Sequence, residues 1–73
     1  MTIEQVANAA KAHVAKREGV ERVALGSELE NHEACDYAGD ADAVLFYGRP
    51  NPGAERTWYF AGWVAELARE ADA

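Results

Sequence analysis

Ala43 to Ala71 reads AVLFYGRPNPGAERTWYFAGWVAELAREA, and how this stretch divides decides the fold. Its first five residues, Ala43 to Tyr47, are apolar at every position, which suits an inner strand buried on both faces. Arg49 to Glu55 then supplies two prolines and a glycine, a definite break. Beyond the break two readings compete. Thr57, Trp58, Tyr59 and Phe60 are strand formers, and a hairpin across RPNPGAE pairs them with AVLFY. Alternatively, Asn51 caps a helix with Pro52 in its first turn, running as far as Ala71. Phe60, Trp63, Val64, Leu67 and Ala71 recur at helical spacing, so Gly62 to Ala71 is helical in either case. The reading adopted is a strand near Arg56 to Phe60 followed by a second helix.

Working back toward the start, Thr2 and Gln5 have the spacing of a capping box. Ile3, Val6, Ala7, Ala10 and Val14 form an apolar stripe at helical spacing, and Gly19 suits the position past the helix end. This gives a first helix from Ile3 to Glu18. From Val20 the apolar period drops from 3.6 to 2: Val23, Leu25 and Leu29 alternate with Arg22, Glu28 and Glu30, and the parity resumes at Cys35 and Tyr37. The economical reading is a hairpin with strands at Glu21 to Leu29 and Ala34 to Ala38, turning at Glu30 to Glu33. A short helix capped by Ser27 is the rival, but no apolar stripe follows its cap. The expected fold is therefore α+β, a single small domain over residues 1–73. It consists of an N-terminal helix, a three- or four-stranded antiparallel sheet and a C-terminal helix, with both helices on one sheet face.

At 73 residues the chain has room for one domain. Thirteen acids against seven bases give a net charge of −6, which argues against direct nucleic-acid binding and against anionic membrane surfaces. Cys35 is the one cysteine, so no internal disulfide is available. The opening MTIEQVANAAKAHVAK lacks the basic-then-apolar order of a secretory signal, and the expectation is a cytoplasmic protein.

Few residues carry the pattern of a catalytic or metal site. His32 and Cys35 are spaced H-x-x-C, but zinc wants about four ligands and no second pair exists. As a thiol and its base, the same two residues on an extended strand point to opposite faces, about 10 Å apart. Asp36, Asp40 and Asp42 lack the central glycine and twelfth-position glutamate of a calcium loop. The glycines follow no phosphate-loop spacing. The expectation is a protein with no catalytic residues, no metal and no cofactor.

What stands out is charge placement. Glu28, Glu30, Glu33, Asp36, Asp40 and Asp42 fall between Val23 and Gly48 without a single lysine or arginine among them. On a sheet, same-face carboxylates lie about 6.7 Å apart and repel by roughly 0.6 kcal/mol per pair in water. Such an array serves solubility, or it serves a cationic partner that it can reach by electrostatic steering. A small, acidic, alanine-rich, cysteine-poor domain without catalytic residues resembles the anti-CRISPR inhibitors encoded by phages, several of which mimic nucleic acid. That resemblance rests on size, charge and layout. It implies a stoichiometric inhibitor, monomeric or weakly homodimeric, that blocks a basic surface of a protein or ribonucleoprotein complex. Glu28, Glu30, Glu33, Asp36, Asp40 and Asp42, flanked by Tyr37 and Tyr47, would form its contact face. The alternative starts from AVLFY. One helix layer covers only one side of it, so either the second helix crosses to the other face or Tyr47 and its neighbours stay exposed there, as the contact of a small oligomeric accessory protein.

Overall fold

A computed structural model of the chain describes residues 2–29, 37 and 39–72. The element order is α1 (Ile3–Ala15), β1 (Val20–Leu25), a single 3₁₀ turn (Gly26–Glu28), β2 (Ala43–Gly48), β3 (Thr57–Trp63) and α2 (Val64–Asp72). Among the described residues the sheet has three antiparallel strands in the order β1-β2-β3, so AVLFY is the central strand, as its unbroken apolar run implies.

Helix α1 starts as expected. The Gln5 amide donates to Thr2 Oγ1 at 3.1 Å and the Thr2 amide donates to Gln5 Oε1 at 2.9 Å, a closed capping box. The helix ends at Ala15, three residues short of the expected Glu18, because Lys16 caps it with its amide on the Val14 carbonyl. The chain needs residues 16–19 to turn back, since Val20 must enter register opposite Gly48. That crossing is tight: a Cβ on Gly48, whose φ is +152°, would lie 2.1 Å from the Gly19 carbonyl oxygen.

Strand β1 stops at Leu25 and not at the expected Leu29. At Gly26 and Ser27 the backbone leaves the ladder for the loop: the Ser27 amide donates to Asp40 O at 3.1 Å and the Gly39 amide donates to Gly26 O at 2.8 Å. The 3₁₀ turn that follows begins one residue before Ser27 and is held by Glu28, not by the serine. Strand β1 pairs with β2. The expected turn at Glu30 to Glu33 and most of the expected strand at Ala34 to Ala38 lie outside the described residues, and Tyr37 belongs to no strand.

Across RPNPGAE the hairpin reading holds. Asn51 organises the turn, its Oδ1 accepting from the Gly53 amide at 3.1 Å, and Phe46 faces Tyr59 while Tyr47 faces Trp58. Strand β3 continues three residues beyond the expected Phe60, and α2 begins at Val64 instead of Gly62. Phe60 and Trp63 are thus sheet residues, not part of a helical stripe. A bulge explains the extension: Leu45 opposes Phe60 but Val44 opposes Gly62, leaving Ala61 as the extra residue. Gly62 takes φ +150°, and a Cβ there would meet Leu67 Cγ at 3.2 Å.

Both helices pack on one sheet face. Ala10, Val14, Val44, Phe46 and Leu67 form the buried cluster, with Val20, Val23, Leu25, Tyr59, Ala61 and Val64 around it. Tyr59 is half-buried and satisfies its hydroxyl by donating to the Glu55 carbonyl at 2.6 Å. Leu67, 2% exposed, is the one fully buried side chain that α2 contributes.

Leu67→Ala should therefore cost about 2–5 kcal/mol, a large share of the roughly 4–11 kcal/mol expected for a chain of this length. Gly62→Ala should destabilise through the same contact and through its φ. A fall in the urea midpoint for both, with the larger fall at Leu67, checks the assignment. Wild-type midpoints would overturn it.

Candidate functional site: the sheet face opposite the helices

On the side of the sheet away from α1 and α2, the register places Arg22, Ala24, Leu45, Tyr47, Trp58 and Phe60 together: Arg22 faces Tyr47, Tyr47 faces Trp58, Ala24 faces Leu45 and Leu45 faces Phe60. The bulge at Ala61 returns Trp63 to this same side, opposite Ala43. Leu45 at the centre is 2% exposed, while Phe60 and Trp63 are 37% and 40% exposed.

The aromatic side chains interlock. Tyr37 stacks on Phe60 with ring centroids 4.3 Å apart and planes 12° from parallel, and it meets Trp63 edge-on at 6.0 Å. Phe60 and Trp63 pack edge to face at 5.0 Å, and Tyr47 and Trp58 do so at 5.5 Å. The Arg22 guanidinium lies over the Trp58 ring at 5.5 Å from its centroid, a cation–π contact. The result is a rigid apolar surface with a polar rim.

Charge is polarised along the strands. Arg22, Arg49 and Arg56 lie at the end of the sheet marked by Gly48, where Arg56 Nε donates to Glu21 Oε2 at 2.7 Å. Glu28, Asp40 and Asp42 lie at the opposite end, beyond Leu25 and before Ala43. Among the described residues no carboxylate pairs with Arg22 or Arg49, and no cation pairs with Asp40 or Asp42.

The six acids expected as one face divide accordingly. Glu30, Glu33 and Asp36, with His32 and Cys35, lie outside the described residues. Glu28 is already engaged, its Oε1 accepting from the Leu25 amide at 2.9 Å and from Lys11 Nζ at 3.1 Å. Asp40 Oδ1 accepts from the Asp42 amide at 2.9 Å, an Asx turn that shapes the entry to β2, and Asp42 is exposed. Tyr37 and Tyr47 do come together on the aromatic face. Trp58, Phe60 and Trp63 complete that face; the expected aromatic contact patch names only Tyr47 among its members, and the sequence pattern places the other three in strand or helix. The alternation of Trp58 with Phe60 carried the signal for two of them, and only the bulge reveals the third.

No three histidine, cysteine, aspartate or glutamate side chains gather into a metal-holding group among the described residues. A shallow cavity of about 360 Å³ lies beside the RPNPGAE turn, lined by Glu18, Gly19, Arg49, Pro50, Asn51 and Pro52. No helix among the described residues is long and apolar enough to cross a membrane. Comparison with protein-family models, with curated proteins and with solved structures gives no match to this chain.

The Leu25 amide holds the Glu28 carboxyl below its ordinary value of 4.5, with Lys11 assisting and partial burial opposing. A carboxyl with a lowered folded pKa stabilises the fold above its unfolded value, and that contribution disappears as pH falls through the folded value. Glu28→Gln should accordingly be less stable than wild type at pH 7, and the difference should close on acidification below about 4.5. Urea unfolding of both proteins at pH 7 and pH 3 tests this; a gap that stays constant with pH would contradict it.

Proposed function

We propose that this chain is a non-enzymatic interaction protein that docks a partner protein through the aromatic sheet face. The observation that carries the reading is the coincidence of a dry central residue, Leu45, with exposed Phe60 and Trp63 around it on the face opposite α1 and α2. Aromatic side chains held rigid by mutual stacking lose little entropy on docking, and such residues dominate the energetics of protein interfaces. Arg22, held flat on Trp58, adds a cation at the rim. The acids then serve mainly solubility and orientation.

A second reading, a nucleic-acid-mimicking inhibitor of a basic complex, draws support from Asp40 and Asp42, which carry no cation partner among the described residues. Glu28 supports it less, because Lys11 already neutralises it.

The two readings separate by position and by salt. With photoreactive benzoylphenylalanine at position 60, in the cells that encode the protein, the aromatic-face reading predicts covalent adducts with protein, whether a second copy or another chain. The same probe at the exposed Ala12 of α1 should give none. In lysate, adducts at position 60 should survive about 0.5 M salt, where screening acts within a few Å. Silence at 60, together with salt-sensitive association that Asp40→Asn with Asp42→Asn removes, would favour the mimic.

A further inference from the structure

We infer that the aromatic face takes a second copy of this chain, packed face to face about a two-fold axis that lies in the interface and crosses the strands at right angles. This rests on the aromatic-face reading above and names its partner. With the strands of the two sheets aligned, a two-fold axis in the interface runs either along the strands or across them. An axis along the strands sets the arginine end of one sheet over the arginine end of the other. An axis across them sets the arginine end over the aspartate end, so the lengthwise polarity of the face makes it complementary to its own reverse.

The side chains fit that second arrangement. It lays β1 over the partner's β1 and β3 over the partner's β3, with their ends exchanged. Asp40 sits beside the far end of β1, bonded through its carbonyl to the Ser27 amide at 3.1 Å, while Arg22 occupies the near end of the same strand. Each Arg22 thus comes over the Asp40 of the other copy, joining two charges that have no ion-pair partner within the chain among the described residues. On β3, Trp58 and Trp63 lie toward opposite ends with Phe60 between them, so Trp58 of each copy stands over Trp63 of the other and Phe60 lies near the axis.

Sedimentation equilibrium on the purified chain at about 1–300 µM, a range that brackets a micromolar dissociation constant, tests the proposal. The expected result is a concentration-dependent rise from 7.9 kDa toward twice that mass. Phe60→Ser should weaken association about 30-fold or more, because the substitution counts twice in a two-fold dimer. Its circular dichroism should stay that of the wild type. Arg22→Gln and Asp40→Asn should each weaken association about three- to tenfold, and the double variant should be no worse than either alone. Asn at position 40 keeps the acceptor of the Asx turn, so the effect reports charge. Additive losses at 22 and 40 would overturn the proposal, as would a dimer indifferent to Phe60, which would pair at a strand edge. A chain that stays monomeric throughout would also overturn it; adducts from position 60 to some other protein would then leave the aromatic-face reading standing, and no adducts would remove both.

Discussion

Strand β2 must be dry on both sides, and everything else in the molecule answers to that. Ala43, Val44, Leu45 and Phe46 are all buried, so alternate side chains need cover from opposite directions. The helices α1 and α2 supply it on one side through Val14 and Leu67. Two helices of 13 and 9 residues cannot wrap round to the other side as well. There large aromatic rings on β3 flank β2, Phe60 beside Leu45 and Trp63 beside Ala43, with Tyr37 packed on both. Aromatic residues suit this task because one ring shields a wide area while its edge remains in water. The same solution leaves part of each ring exposed, which is how a packing requirement becomes an interaction surface.

The fold was legible where periodicity was strong. The capping box at Thr2 and Gln5, the two-sided apolar run from Ala43 to Tyr47 and the proline-glycine break after it each correspond to a physical need that sequence pattern expresses directly. The boundaries were less legible. Helix α1 ends early and β3 ends late because of tertiary events: the close crossing of Gly19 and Gly48, and the bulge that fits Gly62 against Leu67. No local propensity encodes either. Strand β1 gives way at Gly26 because loop residues 39 and 40 bond its backbone, a partner distant in the chain.

The site was half legible for a related reason. Charge spacing in sequence says which residues are acidic but not which acids find cations, and Lys11 reaches Glu28 across 17 positions. Conversely, Phe60 and Trp63 fit a helical period as well as they fit a bulged strand, so their pattern alone did not separate core from surface. What separates them is the register, which sets Phe60 on Leu45 and Trp63 on Ala43.

The position of Leu67 has a consequence for how the chain comes into being. Its side chain closes a core whose other walls, Ala10, Val14, Val44 and Phe46, are all made earlier in synthesis. Until residue 67 leaves the ribosome, those walls enclose a gap, and the nascent chain can hold little more than the local hairpin of β2 and β3. Closure of the core thus waits until α2 has been made. In that interval the apolar rings of β2 and β3 lack their cover, and the net charge of −6 opposes association of such chains with one another.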